Sequence, residues 1–351
     1  MKSIKVGSRR IGPGEPVFVI AEAGSNHNRS LETAFELIDV AAAAGADAVK
    51  FQTYSGRTLY SRYTPGISYL RKRKLIRKGE TVQDLLSRIE MPREWQEKLA
   101  ERCRKRKVLF LSTPFDLPAV DELDELGVPA FKIASFEINH IPLIEHAASK
   151  GRPLLLSTGM CDLRDIRLAL AAARRGGGPP VALFHCAIAY PPRYQDINLR
   201  AMETMRRAFR LPVGFSDHTM GHAVPVAAVA LGACMIEKHF TLSRKMRGPD
   251  HPFSLEPDEL AAMVRAVRET EQSLGSAEKR RTAAEEELYL KARRGLVAAR
   301  AIARGERISR DMLEIKRPGF GISPVDLRKV IGRRAEVNLR EDEILRWEML
   351  S

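Results

Sequence analysis

Eight short apolar runs, each turning polar at its C-terminal end, set the tightest limit on how this chain can fold. They cover residues 17–21, 48–52, 108–112, 130–133, 154–157, 181–185, 213–216 and 235–239, and stretches of helical periodicity such as 31–44, 118–126 and 223–231 lie between them. Repeated strand-then-helix units with buried strands predict a parallel sheet, and eight of them predict closure into a (β/α)8 TIM barrel. A doubly wound open sheet is the alternative, but no G-x-G-x-x-G follows the first run. The start, Ser3-Ile-Lys-Val-Gly-Ser-Arg-Arg-Ile-Gly-Pro-Gly14, reads as a hairpin able to plug the barrel bottom.

The spacing breaks between the second and third runs. This long connection holds the basic run Arg71-Lys-Arg-Lys-Leu-Ile-Arg-Lys78. A connection that leaves a strand end emerges at the mouth of a barrel, so it is expected to cover substrate, with the basic run as a solvated face or flexible lid. After Gly275 the residues become charged and poor in large apolar side chains, which reads as a linker over 276–294. Residues 295–351 carry short β runs punctuated by Gly and Pro. They predict a small, mostly β second domain that needs another surface to pack against, after a catalytic barrel spanning 1–275.

Composition removes several function classes. With 44% apolar residues in 351, a buried core is assured, yet no run reaches the roughly 20 apolar residues that span a bilayer. The first residues lack the continuous apolar core of a secretory signal, so a cytoplasmic location without membrane attachment is expected. The net charge of +14 is dispersed and lacks interleaved aromatics, which argues against a nucleic-acid partner. Cys103, Cys161, Cys186 and Cys234 show no C-x-x-C spacing and are expected to be reduced thiols.

The polar residues at the run ends form a pattern. Glu22, Lys50, Gln52, Thr113, Lys132, Ser135, Ser157, His185, Tyr190, Ser216, Asp217, His218, Glu237, Lys238 and His239 would all reach one rim. Lysines in such a mouth are either Schiff-base nucleophiles or fixed cations for an anion. With hydroxyls at Thr113, Ser135, Ser157 and Ser216, and backbone N–H groups at 157–159, Lys50 and Lys132 suit a small ligand bearing phosphate and carboxylate, as phosphoenolpyruvate does. His218 and His239 suit one divalent metal whose other positions stay open, a Lewis acid for a carbonyl oxygen. Glu22 and Asp250 would accept hydrogen bonds from a polyhydroxylated acceptor. Two competing readings are a Schiff-base aldolase using Lys132 or Lys238, and a carbohydrate-binding protein.

These residues lie in Ile20-Ala-Glu-Ala-Gly-Ser-Asn-His-Asn28, Lys50-Phe-Gln52, Ser112-Thr-Pro-Phe-Asp116, Phe131-Lys-Ile-Ala-Ser135, Leu156-Ser-Thr-Gly-Met160, Gly214-Phe-Ser-Asp-His-Thr219, Ile236-Glu-Lys-His-Phe-Thr241 and Gly248-Pro-Asp250. In this set the chain resembles the sialic acid synthase family over essentially its whole length. The tail, with Lys316-Arg-Pro-Gly319, resembles that family's antifreeze-like (SAF) domain.

The resemblance implies condensation of phosphoenolpyruvate with an N-acetylated amino sugar, N-acetylmannosamine or a relative, and water, to give a nonulosonic acid and phosphate. It assigns Lys50, Thr113, Lys132, Ser135, Ser157 and Ser216 to phosphoenolpyruvate, Glu22, Tyr190 and Asp250 to the sugar, and His218 and His239 to Mn²⁺, with Mg²⁺ or Co²⁺ as alternatives. Gln52 joins the substrate-binding set, and Glu22 and Glu237 are the proton handlers, in no assigned order. A domain-swapped homodimer would carry Arg317 into the partner's site. Ile188 stands where relatives place Asn or Ser, which would remove a hydrogen bond to bound phosphoenolpyruvate. Because Phe131–Glu137 and Phe253–Pro257 also resemble the pseudaminic acid branch, while the Lys50–Tyr54 stretch and the tail lean towards N-acetylneuraminate and legionaminate, the acceptor stays open.

Overall fold

A computed structural model describes residues 2–351. The chain forms two compact units, Met1–Gly275 and Ser276–Ser351. In the first, a hairpin of β1 (Ile4–Val6) and β2 (Arg9–Ile11) precedes eight parallel strands. These are β3 (Phe18–Gly24), β4 (Ala48–Thr53), β5 (Leu109–Pro114), β6 (Phe131–Ile133), β7 (Leu154–Ser157), β8 (Val181–Cys186), β9 (Val213–Asp217) and β10 (Met235–His239). Their order, β5-β4-β3-β10-β9-β8-β7-β6, runs almost once around a barrel. All eight expected runs became strands, shifted at most by one to three residues at their ends. Helices Leu31–Ala43, Leu117–Glu125 and Ala223–Ala230 fill the expected helical stretches.

Side chains alternate in and out along each strand, which sorts the barrel into layers. Phe18, Ile20, Ala48, Leu111, Ala130, Leu155, Ala182, Phe184 and Met235 meet on the barrel axis, where Ile4, Val6 and Ile11 of the hairpin join them. The hairpin therefore plugs the bottom as anticipated. The residues of opposite parity, such as Val19, Val49, Phe131, Leu183, Phe215 and Ile236, pack beneath the helices in a separate cluster. Two residues beyond the axial apolar layer, the same faces become Glu22, Lys50, Thr113, Lys132, Ser157, Cys186, Ser216 and Glu237. The polarity switch at each strand end is thus a second storey on an apolar first one.

The same alternation corrects part of the expected rim. Asp217 and Lys238 share the outward parity of Phe215 and Ile236. The Lys238 ammonium lies 2.5 Å from Asp217 Oδ2 and donates to the Thr219 carbonyl, away from the mouth. His185 also points outward and bonds the Ile197 carbonyl at 2.6 Å. Lys238 is therefore a structural cation rather than a Schiff-base candidate.

The long β4–β5 connection carries the short helices Gly56–Leu59 and Ser68–Lys72 and the helix Val82–Ile89. Leu70, Leu75, Val82 and Leu85 give it a small core of its own. Thr81 caps the last helix in a reciprocal box with Asp84.

The second unit contains β11 (Gly295–Ala298) paired antiparallel with β12 (Leu313–Lys316), plus isolated bridges such as Ile302 with Leu339 and Ala335 with Leu350. Its own core gathers Leu296, Ile302, Ile308, Leu313, Ile322, Val330, Leu339 and Leu345. Residues 276–294, expected as a linker, group with this unit and carry the helix Glu286–Lys291. Part of the charged composition that suggested a linker belongs to this exposed helix, in which Lys291 pairs with Glu287 at 2.8 Å.

Candidate active site

The ends of β3 to β10 and the β4–β5 connection surround a cavity of about 180 Å³. Glu22, Lys50, Gln52, Thr113, Lys132, Ser135, Ser157, Tyr190, Ser216, His218, Glu237, His239 and Asp250 all line it. Of the residues expected on the rim, only His185, Asp217 and Lys238 are not there. Arg317 belongs to the second unit, directly after β12.

Charge in the cavity floor is interleaved. Lys50 Nζ is 2.9 Å from Glu22 Oε2, 3.7 Å from Glu237 Oε2, and donates to Thr113 Oγ1 at 3.0 Å. Lys132 Nζ donates to Ser157 Oγ at 2.6 Å, lies 3.4 Å from Glu237 Oε1, and sits 5.2 Å above the Phe184 ring of the apolar layer. Ser216 donates to Glu237 Oε1 at 3.0 Å, while Gln52 donates to Glu22 Oε1 at 2.8 Å. Both lysines are at most 3% exposed, and Glu237 Oε2 has no hydrogen-bond partner. Buried ions persist only when compensated, and here two ammonium groups and two carboxylates compensate one another with hydroxyls at the periphery. An entering dianion would meet both lysines.

The two glutamates are not equivalent. Burial, reinforced by the charge of Glu237 and opposed by Lys50, pushes Glu22 up from 4.5 to about 7. Glu237 is buried too, but Lys132 and Lys50 together outweigh that burial and hold it below the usual carboxylate range. A carboxyl pair driven apart in this way supplies one proton donor and one proton acceptor at neutral pH.

His218 and His239 stand with ring centroids 5.2 Å apart. His218 Nδ1 donates to the Ala187 carbonyl at 3.2 Å, which fixes the tautomer and leaves Nε2 with its lone pair. His239 Nδ1 is buried with no hydrogen-bond partner, and Asp250 Oδ2 is 3.8 Å from it. Burial drives both imidazoles towards their neutral form, His218 to about 4 and His239 well down. Neutral rings with a free nitrogen and a neighbouring carboxylate fit a divalent ion. Among the described residues no group of three or more His, Cys, Asp or Glu side chains is already arranged around one point. Asp250, whose side chain is 16% exposed, is raised to about 6 by burial against the pull of Arg73 and Lys50.

One expectation needs revision. The Thr158 and Gly159 amides, expected to hold an oxyanion, donate instead to the Phe184 carbonyl and to Ser135 Oγ. Anion recognition therefore falls to side chains. Ile188 does line the cavity, and it packs so closely on Gly159 that a Cβ there would meet Ile188 Cγ1 at 2.5 Å. Other lining residues escaped the sequence reading. Cys186 was detectable, being two positions past Phe184 on the inward face of β8. Tyr60 and Tyr69 had no such signal, because the β4–β5 connection has no regular period.

A barrel mouth with paired lysines, a split carboxyl pair and two coordinating-type imidazoles defines an enzyme acting on a small anion. Residues 37–279 match the NeuB family and residues 293–351 the SAF domain. The chain belongs to the NeuB family. It is 40% identical to the N,N'-diacetyllegionaminic acid synthase of Legionella pneumophila, over 97% of both chains. With the human N-acetylneuraminate-9-phosphate synthase it shares 34% identity, over 97% of this chain and 95% of that protein. The crystal structure of N-acetylneuraminic acid synthetase from Leptospira borgpetersenii matches with a TM-score of 0.73 at 36% identity, covering 82% of this chain and 94% of that one.

Proposed function

We propose that this chain is a nonulosonic acid synthase that joins phosphoenolpyruvate to the open-chain aldehyde of an N-acetylated amino sugar, consumes water and releases phosphate. The observation that carries the reading is the Glu22–Lys50–Glu237–Lys132 chain on the barrel axis, flanked by Thr113, Ser157 and Ser216. It offers two fixed cations to a phosphate and a carboxylate, with a proton donor and a proton acceptor beside them.

Lys50 and Lys132 would hold phosphoenolpyruvate with Thr113, Ser135, Ser157 and Ser216, presenting its carbon 3 to the acceptor. A divalent ion held by His218 and His239, Mn²⁺ in the first instance, would supply Lewis-acid polarisation of the aldehyde oxygen. Glu22, on the acceptor side beside Gln52, delivers a proton to that oxygen as the new C–C bond forms. Glu237, ionised between Lys132 and Ser216, takes the proton of the water that adds at carbon 2. The C–O bond to phosphate then breaks, and both lysines stabilise the departing charge. Tyr190 and Asp250 orient the sugar.

The N-acetylneuraminate-type product is our first assignment. Legionaminic acid is the second, favoured by the 40% identity to the Legionella enzyme; pseudaminic acid synthesis is the third. The reading is tested by incubating the protein with phosphoenolpyruvate, Mn²⁺ and a panel of N-acetylated hexosamines. Absence of phosphate release with every sugar would overturn it.

The split glutamate pair carries a pH prediction. Since Glu22 must keep its proton to donate it, kcat/KM should fall as pH rises through about 7. Glu22→Gln should lower kcat/KM by about 10²–10⁴-fold and abolish that alkaline limb. A limb that persists in the variant would assign it to another group.

We further propose a domain-swapped homodimer in which Arg317 serves the partner's site. Mixed His218→Ala and Arg317→Ala chains are then expected to recover part of the activity that each lacks alone; no recovery would exclude shared sites. Among the described residues no helix is long and apolar enough to cross a membrane. We place the enzyme in the cytoplasm, in keeping with its four free cysteines.

A further inference from the structure

The basic run at 71–78 is not a uniformly solvated face. Within it, Arg73 is partly buried. Its Nη1 donates to the Pro249 carbonyl at 2.6 Å and its Nη2 to the Tyr190 carbonyl at 3.1 Å. One planar guanidinium thereby ties two loops that follow different strands, β8 and β10, to the β4–β5 connection. Its carbon also lies 6.0 Å from the centre of the Phe253 ring. Phe253 in turn packs at 5.3 Å from Tyr190, 6.0 Å from His218 and 5.2 Å from His239, and Tyr69 lies 5.6 Å from Tyr190.

We propose that Arg73 is a positioning residue for the acceptor sugar: it fixes the spacing between the Tyr190 loop and the Pro249–Asp250 loop, so that Tyr190 and Asp250 face the sugar in register. The inference rests on the reading that these two residues contact the sugar. Lys50 and Lys132 bond Glu22, Glu237, Thr113 and Ser157 and neither of these two carbonyls, so the effect of Arg73 is expected to fall on one substrate and not on the other. The role needs a fork of two N–H donors at fixed separation, which lysine cannot provide. Arg71, Lys74, Arg77 and Lys78 of the same run differ, being exposed.

The test is steady-state kinetics of the full-length protein with phosphoenolpyruvate and the best acceptor from the panel, varying each in turn. Arg73→Gln is expected to lower kcat/KM for the acceptor by about 10–100-fold, the scale of an ångström-level misplacement, while the KM for phosphoenolpyruvate stays within about twofold. Arg73→Lys should recover little, whereas guanidinium added to Arg73→Ala should restore part of the rate. Lys78→Gln, in the same run, should behave as the unaltered protein. Unchanged constants in Arg73→Gln, an equal rise in both KM values, or a loss that guanidinium leaves untouched would each overturn the inference. If the unaltered protein released no phosphate with any sugar, the proposed function would fall and take this inference with it.

Discussion

Lys50→Met is expected to abolish activity and to destabilise the barrel more at high pH than at low. Lys50 is the only ammonium within reach of both Glu22 and Glu237 among the described residues, at 2.9 and 3.7 Å. Removing it leaves two buried carboxylates without a shared counter-charge, and breaking a buried pair by deleting one partner costs about 3–5 kcal/mol. Glu22, already raised by burial, would then keep its proton to still higher pH in the folded chain than in the unfolded one, while Glu237 retains Lys132 at 3.4 Å. The native state would bind more protons than the unfolded state above the usual carboxylate range, so stability must fall as pH rises through it. Calorimetric unfolding at several pH values, beside phosphate release, checks both halves. A variant whose unfolding temperature rose with pH would contradict this account of the floor, and so would one that kept full activity.

The second large effect concerns the imidazoles. His239→Ala should lower phosphate release by about 10³-fold, because Lewis-acid stabilisation is worth several kcal/mol and each 1.36 kcal/mol is tenfold. The variant should also lose the binding heat expected when Mn²⁺ is titrated into the metal-free protein. The buried Nδ1 of His239 has no protein partner, so the ring is not retained for an internal hydrogen bond. Treating the unaltered protein with a chelator should reproduce the loss, and Mn²⁺ should reverse it. Full activity in the chelated protein would remove the metal from the mechanism.

Much of this was legible because a barrel strand is a two-residue code. In Met235-Ile-Glu-Lys-His239, one parity goes to the axis and the other to the helices, so Glu237 and His239 enter the mouth together. Lys238, between them, must leave it. Reading only the polarity at strand ends merged the two sets and placed Asp217, Lys238 and His185 on the rim, although the alternation already separated them. Arg73 was opaque for another reason. Its partners are carbonyls in loops more than a hundred residues away in sequence, and a backbone acceptor leaves no trace in residue type. The 157–159 amides failed in a similar way, since their donors are consumed by Phe184 and Ser135.

The layered barrel has a consequence for how such an enzyme can diversify. The anion cradle is distributed over strand ends whose registry the whole barrel enforces, whereas Tyr54, Leu59, Tyr60, Ile67, Tyr69 and Leu85, on the other wall of the cavity, come from one continuous stretch with its own small core. Substitutions within that single stretch can therefore reshape one side of the cavity while the strand ends that carry the lysines and carboxyls stay in register.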